Sequence, residues 1–279
     1  MEINKHICFI ADDVPELIDY LNANGIFYEP VSIGSTVLDI LESSPHWNYI
    51  SKIVEHKKLP YSSETFFTKE ELNNAEWLRI RSKWRFGYPQ PELTFIKDGT
   101  TYCYDNKCSE CGSGEVQREP FKIKKVPKWG KRFFGELNWI GDELFVNDKA
   151  KEALLENGIK GISFMDVLSK NGKEVLPDIH QLVIPNTLDG GLMAGCRAIS
   201  ESQLCSKCRV TKYLSSGIGM LHFKKEVFEN QPDIVKTGEI FGSMHYAAKL
   251  IIVRQKVYKM IVDNKMERGL VFSPIVLED

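Results

Sequence analysis

Four cysteines carry the plainest chemistry in this 279-residue chain. Cys108, Ser109, Glu110, Cys111, Gly112 and Cys205, Ser206, Lys207, Cys208, Arg209 form two CxxC pairs whose members lie 97 residues apart. Each pair brings two thiolates within reach of one ion, and four thiolates complete a tetrahedral site closed to water, the structural Zn2+ arrangement of a zinc ribbon. Gly112 offers the permissive dihedral that such a turn wants. The same sulfurs admit a redox disulfide within either pair, an iron–sulfur cluster, two independent half-sites or no metal. Zinc on Cys108, Cys111, Cys205 and Cys208 is preferred, because a redox CxxC opens a helix after a strand and both of these sit among turn residues.

Cys8 lies in an apolar run and reads as a small core residue. Cys103, five positions before Cys108, is an alternative ligand. Cys196, within a glycine-containing segment from Gly190 to Arg197, becomes a nucleophile only if His180, His222 or His245 approaches it. Otherwise the templates of catalysis fail: there is no GxSxG, HExxH, P-loop or GxGxxG, so the chain reads as a non-enzyme more than an enzyme.

A second constellation, Arg118 to Phe134, holds seven bases, one acid and four aromatics. Lys122, Lys124, Lys125, Lys128, Lys131 and Arg132 could attract phosphates while Trp129 stacks on a base, which defines a nucleic-acid-binding alternative. Alternation of Phe121, Ile123 and Val126 with lysines describes equally an ordinary strand with a solvated face.

The elements that position these groups follow from pattern. Ile7 to Ile10 form an apolar strand; Asp12 or Asp13 caps a helix with Pro15 in its first turn, ending near Asn24 and Gly25. An extended stretch from Ile26 to Pro30 precedes an expected helix over 36–42 and another between Pro45 and Pro60. Thr68 and Glu71 make a capping box for a short helix. Residues 77–85 alternate as a half-exposed strand, and 93–104 read as a hairpin turning at Asp98 and Gly99. Leu144 to Ala150 align with Ile251 to Val257, and Gly161 to Phe164 with Gly269 to Phe272, at offsets of 107 and 108. Each copy is a strand, helix, strand unit, so the expected fold is α+β: two related halves, each with a knuckle, clasped by one zinc and preceded by an α/β region. The boundaries expected are an acidic N-terminal region 1–76, a first half 77–175 and a second half 176–279.

Charge and composition complete the picture. The net charge is −2, but residues 1–76 hold 13 acids and 5 bases while residues 77–135 hold 13 bases and 6 acids. Asp12, Asp13, Glu16, Asp19, Glu70 and Glu71 are candidate contacts for a basic partner. No apolar run is long enough to span a membrane and no leader is evident, so a soluble, cytoplasmic protein is expected.

The two CxxC pairs, the first followed by Gly112, and the stretch from Trp129 to Arg132 through Asp142 to Val146 with its later echo, resemble the bacterial double-CxxCG motif proteins. That resemblance implies metal-ligand roles for Cys108, Cys111, Cys205 and Cys208. It also implies an immunity protein of a toxin–antitoxin kind, neutralising a cognate toxin by protein–protein contact. Arg209 stands where the family pattern has glycine.

Overall fold

The computed structural model describes residues 1–32, 34–92, 101–103, 105, 107–243 and 247–279. The expected hairpin falls mostly outside these residues, as does His245.

At the N-terminus, β1 (Glu2–Phe9), β2 (Glu29–Ser32), β3 (Ser35–Leu41) and β4 (Tyr61–Phe66) form a sheet in the order β2-β3-β1-β4, antiparallel throughout. Helices α1 (Pro15–Ala23) and α2 (Trp47–Lys57) bury Leu17, Leu21, Ile50 and Val54 against Ile7, Phe9 and Leu38, a core of their own. Two expectations are corrected here. The expected helix over 36–42 is instead the strand Ser35–Leu41, because Thr36, Leu38 and Ile40 are buried at period two and β3 hydrogen-bonds to neighbours on both sides. Neither Asp12 nor Asp13 caps α1: both lie in the single 3-10 turn before it, and its N-cap is Val14 without a side-chain bond. The capping box forms as expected on α3 (Lys69–Asn74), where Glu71 N donates to Thr68 Oγ1 and Thr68 N to Glu71 Oε2.

Two five-stranded sheets follow. The first comprises β8 (Lys122–Ile123), β9 (Phe134–Gly135), β10 (Leu144–Val146), β11 (Ser163–Ser169) and β12 (Val175–Val183), ordered β8-β11-β12-β10-β9. The second comprises β5 (Trp77–Ser82), β15 (Leu221–Lys224), β16 (Ile234–Lys236), β18 (Ile251–Arg254) and β19 (Leu270–Glu278), ordered β15-β19-β5-β18-β16. In both, the first pair is parallel and the other three are antiparallel. In each, a strand, helix, strand unit (β10-α4-β11 or β18-α5-β19) leaves room for one antiparallel strand between its strands. The helices of the two units are α4 (Asp148–Glu156) and α5 (Gln255–Asp263), and the inserted strands are β12 and β5. The N-terminal sheet repeats the device, with β3 inserted between β1 and β2.

The inserted strand differs in origin. In the first sheet β12 follows its unit in the chain, whereas the second sheet takes β5 from about 170 residues upstream. A division at residue 77 therefore groups β5 by sequence with the first half, while all its ladder hydrogen bonds lie in the second sheet. The same pairing buries Trp77, Leu78, Ile80 and Ser82, so this strand is central rather than half-exposed.

Both helices stop alike. Asn157 and Asn264 each donate a side-chain amide to the carbonyl four residues back, Gly158 and Lys265 take φ of 58° and 56°, and Ile159 and Met266 N close the last turn onto Leu154 and Ile261 O. This is the Schellman stop, repeated at the offset of 107. One core joins the units: Leu144, Val146 and Leu154 pack with Ile251, Val253, Val257 and Ile261, beside Leu78 and Phe272.

The remaining elements carry the knuckles. β6 (Tyr102–Cys103) pairs with β7 (Val116–Gln117), and β13 (Ile199–Leu204), β14 (Thr211–Ser215) and β17 (Ile240–Phe241) form a three-stranded sheet. No helix among the described residues is long and apolar enough to cross a membrane.

Candidate metal centre

Each CxxC occupies the turn between two antiparallel strands, β6 and β7 or β13 and β14, and both turns close in the same way. Gly112 N donates to Cys108 O at 2.9 Å and Arg209 N to Cys205 O at 3.1 Å; Cys108 N donates to Ser113 O and Cys205 N to Val210 O. The residue after the second cysteine is left-handed in both, with φ of 74° at Gly112 and 62° at Arg209. Arg209 thus keeps the turn that glycine would make without strain.

The turns meet face to face. Sγ of Cys108 lies 3.7 Å from that of Cys205, Sγ of Cys111 lies 3.5 Å from that of Cys208, and all four fall within 4.8 Å of one another. A tetrahedron with metal–sulfur bonds of about 2.3 Å has sulfur–sulfur edges of roughly 3.8 Å, so the cluster fits one such ion. None of the four is in a disulfide, and neither pair opens a helix. Cys103 lies outside the cluster, its thiol turned to Asp105 Oδ2.

Outer contacts lock the turns as reciprocal halves. Ser206 Oγ donates to Glu110 Oε2 at 2.7 Å, and Lys207 Nζ donates to Ser109 Oγ at 2.7 Å, so the first intervening residue of each knuckle bonds the second of the other. Lys212 Nζ donates to Cys111 O, and Ser113 Oγ sits 3.3 Å from Cys111 Sγ. Such contacts fix the orientation of ligands before a metal arrives.

The sulfurs compete for protons. Burial would raise Cys111, but hydrogen bonds from Ser113 and from the neighbouring thiols bring it down to about 6. Val210 N–H favours a thiolate at Cys208, yet burial and the three adjacent sulfurs push that thiol up to about 12. One thiolate forms readily and the last is resisted, a conflict that a divalent cation at the centre removes.

The basic stretch is partly built into the fold. Phe121 and Phe134 are fully buried, and Trp129 is buried with its indole N–H bonded to Asp178 O. Phe133, the fourth aromatic, is half-buried with Lys149 over its ring. Lys125, Lys128 and Lys131 are exposed, Lys122 is half-buried, Lys124 is paired with Glu92 and Arg132 lies over the Trp84 ring. Of the acidic candidates, Asp12, Asp13, Asp19 and Glu70 are exposed; Glu16 is paired with Lys57, and Glu71 serves both the capping box and the amino group of Met1.

Cys196 and His222 line one small cleft with Glu278, and His222 Nδ1 is bonded to Glu278 Oε1. The Cys196 thiol, however, donates to Met220 O at 3.0 Å, and no hydrogen bond joins it to His222 among the described residues. A protonated thiol bound to a carbonyl is not an activated nucleophile. His180 is bonded to Asp148 and near Lys151, on the first sheet.

No protein-family model matches the chain, and a search of the curated proteins finds no match either.

Proposed function

We propose that this chain is a non-enzymatic, bacterial binding protein whose two halves arose by duplication and are clasped by one structural Zn2+. It belongs with the double-CxxCG proteins it resembles, and it acts in the cytoplasm as an immunity protein that neutralises a basic toxin domain by direct contact. The equal strand order and sense of the two five-stranded sheets, the matched helix stops and the reciprocal knuckles support the duplication. The four-sulfur geometry supports the zinc.

The observation that carries the binding role is the free edge of the N-terminal sheet. β4 on one side is docked: Thr65 Oγ1 donates to Gly217 O and accepts from Gly219 N. β2 on the other side is exposed along its whole length, with Val31 62 % and nearby Phe27 81 % exposed. An open edge and an exposed aromatic are features that folds normally hide unless a partner covers them. The same region carries the acidic excess, which would steer a basic partner toward it.

The test is co-expression with, and calorimetric binding to, the protein encoded by the neighbouring gene. Binding and rescue from toxicity are expected, with Phe27→Ala weakening the complex at least tenfold and Asp12→Lys with Asp13→Lys slowing association at low salt. Unchanged affinity in both variants would remove the reading. The nucleic-acid alternative predicts salt-dependent retention on immobilised polynucleotide; flow-through is expected, given the burial of Phe121, Trp129 and Phe134.

A further inference from the structure

The junction that docks β4 encloses a second site, unrelated to the sulfur cluster. A cleft of about 500 Å3 lies between β4, one face of the β15-β19-β5 ladder and the loop from Ser215 to Leu221. Arg79 projects from β5 on the face it shares with Ser273, its register partner on β19, and both line the cleft. No hydrogen bond or ion pair reaches the Arg79 guanidinium among the described residues. Arg81 and Lys83 line the same cleft, and Glu64 is the one carboxylate there, bonded to Arg81 at 3.1 Å and Lys83 at 3.0 Å.

Three cations against one carboxylate leave an excess of two positive charges facing a space ringed by hydroxyls, Ser63, Ser215 and Ser273 among them. Burial, and after it the charge of Arg81, lowers Arg79 to about 10, against the opposing field of Glu136. That carboxylate cannot serve as partner, because it is committed to Ser82 N at 2.7 Å and lies 3.7 Å from Arg85 Nε. A half-buried guanidinium with no carboxylate in hydrogen-bond reach is costly, and its planar fork matches the oxygens of a tetrahedral oxyanion.

We propose that this cleft binds the phosphate group of a small molecule, with Arg79 as the fork and Arg81 and Lys83 as supporting charge. The excess of two charges suits a dianionic phosphate monoester better than a single carboxylate. The walls place the ligand between the N-terminal module and the second sheet, so its binding holds those two bodies together.

The test uses the full chain and inorganic phosphate as probe, with succinate as the carboxylate control at equal ionic strength, followed by calorimetry. Saturable phosphate binding is expected, weakened tenfold or more in Arg79→Gln and unchanged in Lys125→Gln, whose cation is exposed on the basic stretch. Absence of saturable binding, equal binding by Arg79→Gln, or succinate binding as tightly as phosphate would each overturn the assignment. Should Arg79→Gln fail to fold, hydrogen exchange on the unaltered chain decides: phosphate must slow exchange across residues 215–221, and no slowing refutes the site.

Discussion

Gly112 and Arg209 hold the same place in the two knuckles, each left-handed and each donating its amide to the carbonyl of the first cysteine of its pair. Only the first is a glycine. A side chain in that conformation costs roughly 1 to 2 kcal/mol. Arg209→Gly is therefore expected to stabilise the chain by about 1 kcal/mol without altering metal content, read as a higher urea midpoint. The reverse change, Gly112→Arg, should destabilise by a similar amount.

Lys265 and Gly158 set up a parallel case at the helix stops. Lys265→Gly should raise stability by about 0.5 to 1 kcal/mol, since it removes a strained φ from the folded state while retaining the stop. Gly158→Ala should lower it by about 1 kcal/mol, because a Cβ there meets open space and only the dihedral is penalised. Equal thermal midpoints for Gly158→Ala and the parent chain would contradict the assignment of φ at that residue.

Metal removal is the test of the clasp. One ion per chain is expected by native mass spectrometry, lost with a strong chelator and accompanied by a large fall in thermal midpoint, because apparent binding free energies of ~10 to 16 kcal/mol are typical of four-ligand zinc sites. Serine at Cys108, Cys111, Cys205 or Cys208 should reproduce that loss. Cys103→Ser and Cys196→Ser should retain the ion.

Stability should also depend on pH through Glu136. Burial raises its pKa above the usual carboxylate value, against Ser82 N–H and the charges of Arg85, Arg81 and Arg79. The folded chain then keeps a proton that the unfolded chain releases, so stability declines as pH rises from the ordinary value to the raised one. Glu136→Gln keeps the acceptor for Ser82 N but cannot ionise. Urea midpoints followed upward from the ordinary carboxylate range should show a shallower decline in that variant.

Gly217 is pressed against β4: a Cβ there would sit 1.8 Å from Ser63 O. Gly217→Ala should cost roughly 3 kcal/mol, at the upper end of overpacking penalties, and open the junction to limited proteolysis.

What the sequence disclosed and what it hid divide along the range of the interactions involved. The CxxC spacing exposed the sulfur site because two ligands three residues apart need only a local turn, and the recurring pair names its mate. The strand, helix, strand units were visible because Leu144 to Ala150 and Ile251 to Val257 repeat one pattern. Ser35 to Leu41 misled because seven residues hold too few apolar positions to separate period two from period 3.6, and pairing with β1 and β2 decided the matter. The apolar and basic alternation of β5 was plain, yet its seat in the second sheet was not, since nothing local to Trp77–Ser82 names β18 or β19. Trp129 looked like a stacking platform for the same reason: burial is a property of the fold. Arg79 gave no signal at all, because an arginine on a strand is ordinary until the carboxylates around it prove to be bonded to other groups.

The upstream origin of β5 has a consequence for synthesis. On the ribosome this apolar strand emerges long before either flanking strand exists, so a nascent chain must carry both of its unpaired edges through the making of the entire first sheet and the second knuckle. Assembly of that sheet is thereby deferred until β18 and β19 have been made, and in the interval the polypeptide is open to mispairing with another copy of itself.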